Sequence, residues 1–172
     1  VVSAPLDCIT IWEPWASLIA IGAKPYEFRS WAAPKAMIGR RIGIHAGARK
    51  VRREEVEDLL QRLRNPDGET PPCLHADKAV PFLEWVLGGL KGGEGPLFGE
   101  PVYSLPLSHV VCTAVLGQPK RGDDCAREFG FAGNDSDRDG TFNWGWPLTA
   151  VEMLPLPVPA RGAQGFWKWS GA

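Results

Sequence analysis

Apolar and polar positions in this chain first set out a compact strand–helix–strand unit, ITIWEPWASLIAIGAKPYEFRSW, from Ile9 to Trp31. Ile9, Thr10 and Ile11 form a β-prone start. Glu13-Pro14 predicts a helix start, because a first helical turn has no use for the amide proton that proline lacks. Trp15, Leu18 and Ile19 recur at i, i+3 and i+4, the spacing of one apolar helical face. Gly22 then ends the helix as a left-handed cap. An extended run follows, Pro25 to Trp31. Glu27 and Arg29 are two apart in it and project to one face, with Lys24 at the entry.

The pattern continues after a turn punctuated by Pro34 and Gly39. Arg41–Gly47 alternates as a strand, Ile42 and Ile44 on one face and Gly43 and His45 on the other. Arg53–Arg64 predicts a helix with Val56, Leu59, Leu60 and Leu63 inward, acids at its start and arginines at its end. Residues 65–77 form a Pro-rich loop. A further helix from about Lys78 to Leu87 turns Phe82, Trp85 and Val86 inward. Residues 88–107 are too rich in Gly and Pro for regular structure. Ser108–Gly117 is β-branched and apolar, a strand buried on both faces. Residues 118–141 make an acidic, Gly-rich excursion. Its Asp135–Gly140 run imitates the start of a calcium loop, but Trp146 stands where the closing bidentate Glu belongs, so it predicts an acidic loop. Trp144–Met153 is a last strand. The Pro-punctuated tail beyond it suits an edge path, with Phe166, Trp167 and Trp169 packing it back. The whole predicts one α+β domain over residues 1–172, with 65–107 and 118–141 as loop insertions.

Composition narrows the function classes. Of 172 residues, 44% are apolar and 23% charged, the balance of a folded domain and not of a disordered chain. No apolar run approaches the roughly 20 residues of a membrane helix, and VVSAPLD lacks the features of a signal peptide. The four cysteines show no zinc spacing. Cys73 and His75 have no second ligand pair. Two disulfides are conceivable, but size and cysteine density favour a reduced, cytoplasmic chain. Neither metal nor cofactor is expected.

Charge changes the picture more. From Lys24 to Arg53 there are nine Lys/Arg against Glu27 alone, nine less one or +8, so the remainder carries −9. Such a chain can turn one basic face to phosphate, although Arg52 and Arg53 serve equally well as solvated surface. Tryptophan is abundant, eight in all. Aromatics among basic residues can stack unpaired bases while cations hold phosphates. Trp12, Trp31 and Trp144 are the candidates for a groove; Trp85, Trp167 and Trp169 suit packing. Lys24, Arg29 and Arg40 or Arg41 would hold phosphates, with Ser30 beside them. Glu27 would accept from a base edge or orient Arg29, or else belong to an ion-pair lattice with Lys24 and Arg29. His45 is an acid–base candidate or a hydrogen-bonded structural residue.

The run Trp12-x-Pro14-Trp15-Ala16-Ser17-Leu18-Ile19 with Gly22-x-Lys24-x-x-Glu27-x-Arg29 resembles the opening of ASCH domains, of the PUA-like superfamily. The strands near Ile42–His45 and Val111–Val115, the run from Trp146 to Pro155 and Pro157, and Gly162-x-Gln164-Gly165-Phe166-Trp167 resemble the same family. The resemblance implies a small PUA-like β-barrel with flanking helices and a cleft beside the G-x-K-x-x-E-x-R motif. It implies RNA or other nucleic-acid binding, with single-stranded or locally open RNA as the expected partner and DNA or a modified nucleoside as further candidates. The alternative is a metal-independent ribonuclease or a hydrolase of modified nucleosides, with Lys24, Glu27 and His45 as its catalytic residues. Related amidohydrolases of N4-acetylcytidine carry a threonine nucleophile three residues after the lysine. Here that position is Glu27, whose carboxylate does not perform the hydroxyl's chemistry.

Overall fold

Strand β1 (Leu6–Ile11) leads through Trp12–Pro14 into helix α1 (Trp15–Ala20), and β2 (Tyr26–Arg29) follows, as the opening pattern predicts. The computed structural model describes residues 4–65, 72–91, 105–131 and 143–171. A 3-10 turn (Lys35–Met37), β3 (Arg41–Ala46), α2 (Arg53–Arg64), α3 (Ala76–Lys91), β4 (His109–Leu116), β5 (Lys120–Arg121), α4 (Gly122–Glu128), β6 (Trp144–Pro159) and β7 (Trp167–Trp169) complete the order. Most of the expected loops at 65–77, 88–107 and 118–141, including the Asp135–Gly140 run, lie outside the described residues.

The seven strands form one sheet, ordered β2-β6-β4-β3-β1-β7, with β5 also on β6. Only β1 and β3 run parallel; the other pairs are antiparallel. The sheet curves strongly. Phe166, just before β7, stacks on Trp146 of β6 at 5.8 Å between ring centroids, so the far edges approach one another. The ladder does not close among the described strands, and the barrel implied by the resemblance is here an open, curved sheet. Its end strands, four and three residues long, offer too little backbone to complete a seam.

Two apolar clusters meet at α1. Ala16 and Ile19 join the sheet cluster of Ile9, Ile42, Ile44, Val111 and the fully buried Trp146. Leu18 joins Val56, Leu59, Leu60, Ala79 and Leu83 of the α2–α3 pair. Helix α1 is therefore buried on two sides, where the sequence suggests a single face. Pro14 stands at the N-cap, just outside the helix it was expected to open. Gly22 adopts φ +72°, the left-handed cap expected of it.

Other expectations need correction. Helix α3 begins earlier than Lys78, passes through Pro81 and presents Ala79 and Leu83 inward, leaving Trp85 exposed. A strand and a helix, β5 and α4, occupy the start of the expected 118–141 loop. Strand β6 continues to Pro159, through the expected tail. From Thr149 onward its ladder partner among the described residues is β4, so the later prolines fall where one side of the strand needs no ladder. All four cysteines are free thiols, and burial pushes Cys8 and Cys112 up to about 12. Among the described residues no helix is long and apolar enough to cross a membrane.

Candidate functional site

An open cleft of about 1400 Å³ lies off the C-terminal ends of the parallel strands β1 and β3. Strand ends supply Thr10, Ile11 and Trp12 on one side and His45, Gly47 and Ala48 on the other. Helix α1 adds Trp15, the motif adds Lys24, Glu27, Phe28, Arg29 and Trp31, and the segment Pro159–Gly165 forms the opposite wall.

Local folding fixes the charged floor. The Lys24 amide donates to Leu18 O at the end of α1 (3.0 Å), which places Lys24 where helix gives way to strand. Glu27 and Arg29 are set by antiparallel pairing with Trp146 and Trp144. The Lys24 ammonium is 6% exposed and donates to Glu27 Oε2 (2.8 Å) and to the Tyr26 carbonyl. It also lies over the rings of Phe28 and Trp15, 5.6 and 6.0 Å from their centroids. Carboxylate, carbonyl and π faces are the surroundings of a cation. Arg29 Nε lies 3.0 Å from Glu27 Oε1, but its N–H is not aimed for a hydrogen bond, so this contact is an ion pair. Arg29 Nη2 donates to Thr10 O (3.0 Å), bridging β2 to β1 across the unclosed seam.

The network continues into the wall. Trp167 Nε1 donates to Thr10 Oγ1 (3.1 Å), Thr10 Oγ1 meets His45 Nδ1 (3.2 Å), and His45 Nε2 meets Ala160 O (2.9 Å). An indole N–H only donates and a carbonyl only accepts, so the sense of the chain is set. Thr10 donates to Nδ1, and Nε2–H donates to Ala160 O. Burial lowers the His45 pKa from 6.5, against the opposing effect of the Ala160 carbonyl, with His109 adding to the lowering. Both ring nitrogens are engaged in holding the wall.

Gly162 allows that wall to sit so close. A Cβ there would stand 2.6 Å from both His45 Cε1 and Thr10 Oγ1. Gly162→Ala is therefore expected to cost about 1–3 kcal/mol, the range for forcing extra volume into packed structure. Urea denaturation checks this, and an unchanged midpoint would mean that the wall yields freely.

Of the sequence candidates, Trp12, Lys24, Glu27, Arg29, Trp31 and His45 line the cleft. Ser30, Arg40, Arg41 and Trp144 are not among its lining residues. Arg40 pairs with Asp7 (3.4 Å) and Arg41 with Glu152 (3.0 Å). Trp144 pairs across the ladder with Arg29 and Arg121 and packs against the sheet cluster. Arg49 and Arg52 meet Glu55, and Arg53 meets Glu57. The basic run thus does not fold into one basic face, because acids distant in sequence or one helical turn away neutralise much of it. Sequence reasoning missed Thr10, Phe28 and Arg161 as lining residues. Arg161 carried a signal: it directly precedes the Gly162-x-Gln164-Gly165 run. Among its lining residues the cleft holds Lys24, Arg29 and Arg161 against Glu27, a net +2.

Comparison with known proteins finds a partial likeness. No family model matches the chain. Activating signal cointegrator 1 from Homo sapiens is 39% identical over 67 residues, a match that covers 37% of this chain. The match spans 11% of that protein's length, so this chain is similar to a small part of it.

Proposed function

We propose that this chain is an ASCH-type, PUA-like module that binds single-stranded or locally open RNA in the cleft beside Lys24, Glu27 and Arg29. The observation that carries the reading is the lining itself: a net +2 cleft with two exposed tryptophans, Trp12 at 59% and Trp31 at 40%. Exposed indoles offer π faces to bases, and cations serve the phosphates between them. Size favours a strand over a lone nucleoside. Pockets that bury one small ligand hold about 300–1,000 Å³, and this cleft of about 1400 Å³ is larger. The partial likeness to activating signal cointegrator 1 agrees with the ASCH resemblance. Binding is favoured over turnover because the His45 nitrogens are committed to Thr10 and Ala160 and the Lys24 ammonium to Glu27 and Tyr26.

Fluorescence anisotropy with labelled single-stranded RNA, single-stranded DNA and duplexes tests the reading, with a denaturing gel to follow RNA length. Two neutralised phosphates give a log–log salt slope near −1.4. A fourfold rise in salt is then expected to weaken binding about sevenfold. Arg161→Ala is expected to remove about half of that slope, since Arg161 is the exposed cation of the wall. Affinity indifferent to salt, or binding confined to duplexes, would refute the reading. RNA shortened in the presence of chelator would replace it with a metal-independent ribonuclease.

A further inference from the structure

Trp12 is the most exposed aromatic of the cleft, yet its surroundings are built. Gly47 packs at its edge, where a Cβ would stand 3.2 Å from Trp12 Cδ1. The Arg49 guanidinium lies over the indole, 4.6 Å from the ring centroid. That guanidinium is in turn gripped by both carboxylate oxygens of Glu55, through Nη1 at 3.2 Å and through Nη2. Glu55 also accepts from the Arg52 amide at the start of α2 (3.1 Å). Arg49 in particular holds the Glu55 carboxyl down to about 2. A loop arginine is thus tied to the N-terminus of a twelve-residue helix and held over an indole at the cleft mouth.

We infer that Arg49 is a positioning residue that fixes Trp12 as a preformed stacking platform for one unpaired nucleobase, the Glu55 carboxylate holding Arg49 in place. The inference rests on the RNA-binding reading above and deepens it. Glu55 balances the Arg49 charge and takes one N–H from each of its terminal nitrogens, so the guanidinium is held at the ring and its charge is not free for a phosphate. With the guanidinium over it, the indole is still 59% exposed and open to a base. Holding the ring beforehand removes an ordering cost that binding would otherwise bear. A lysine at the same position would keep the charge and lose the two-point grip of the guanidinium on Glu55.

The test is a double-mutant cycle read by anisotropy with a labelled single-stranded oligouridine. Trp12→Ala is expected to weaken binding about thirtyfold, the middle of the range for one base on one aromatic ring. Arg49→Lys is expected to weaken it several-fold in the unmodified background and to have no further effect beside Trp12→Ala. In the protein without RNA, the Trp12 indole N–H signal of Arg49→Lys is expected to show faster local motion by nitrogen relaxation. Additive losses, or normal affinity in Arg49→Lys, would overturn the inference, as would unchanged indole motion. Normal affinity in Trp12→Ala alongside weakened binding in Trp31→Ala would overturn the platform and leave the RNA reading standing. No binding by the unmodified protein would overturn both.

Discussion

Glu27→Ala is expected to destabilise the fold by about 3–5 kcal/mol, the cost of removing one partner from a buried ion pair. Glu27 is 7% exposed and Lys24 6%. Without the carboxylate, the Lys24 ammonium keeps the Tyr26 carbonyl and two ring faces but no opposite charge. Arg29 loses the same partner and is freer to turn away from Thr10, its bridge across the unclosed seam. The effect would therefore reach beyond one side chain, to the junction between β2 and β1. Replacing both members by apolar groups, Lys24→Met with Glu27→Leu, is expected to recover the part of the loss that comes from Lys24, because no ammonium is then buried without its carboxylate, while the Arg29 contact stays lost. Urea denaturation at neutral pH measures both variants. A loss in Glu27→Ala of about 0–1 kcal/mol, the range of exposed pairs, would show that the lattice does not join the sheet edges. Such a lattice and a binding floor are compatible roles. The ion pairs orient Lys24 and Arg29, and Arg161 on the facing wall completes the cationic lining.

This floor was legible in the sequence because its members are local. Lys24, Glu27 and Arg29 lie within six positions, and strand alternation places the last two on one face. Trp12 and Trp31 stood out in the same stretch by composition. The opposite wall was harder to read. Arg161 and Gly162 reach the cleft only because β6 runs the length of β4 and delivers the chain beside His45, a contact between residues 115 or more positions apart. The excess of Arg40 and Arg41 over nearby acids pointed to a binding face, and Asp7 and Glu152, remote in sequence, neutralise both. Helix–strand order was recovered where periodicity is clean, as in α2 and β4. It failed at β6, where prolines suggest an end to the strand and one-sided pairing allows it to continue. Trp85 obeys helical spacing on α3 yet faces outward, because Ala79 and Leu83 fill the position against α2.

Glu13 is the buried acid that the sequence disguised as part of a helix start, and it is expected to give the protein an unusual pH response. It is 1% exposed; its Oε2 accepts from the Ser17 amide (3.0 Å) and its Oε1 from the Ser17 hydroxyl (2.6 Å). Burial raises its pKa from 4.5 to about 7, more than the two Ser17 hydrogen bonds lower it. The nearby Cys112 thiol of β4, itself pushed up to about 12, stays neutral across this range. Between about 4.5 and 7 the unfolded chain has released the Glu13 proton and the folded chain retains it, so stability falls as pH rises. The loss is about 3 kcal/mol and is complete above the folded pKa. His45 acts in the opposite sense, since its lowered pKa favours the folded state as pH rises toward 6.5. The decisive quantity is therefore the difference between the unmodified protein and Glu13→Gln, in which the His45 contribution cancels. A glutamine amide can donate to the Ser17 hydroxyl while its carbonyl accepts from the Ser17 amide, and it carries no charge at any pH. Glu13→Gln is expected to match the unmodified protein near pH 4.5 and to exceed it by about 3 kcal/mol at pH 8. Urea denaturation of both proteins across that interval measures the gap. Curves that stay parallel would show that Glu13 titrates as an ordinary carboxylate and that α1 starts on a charged group.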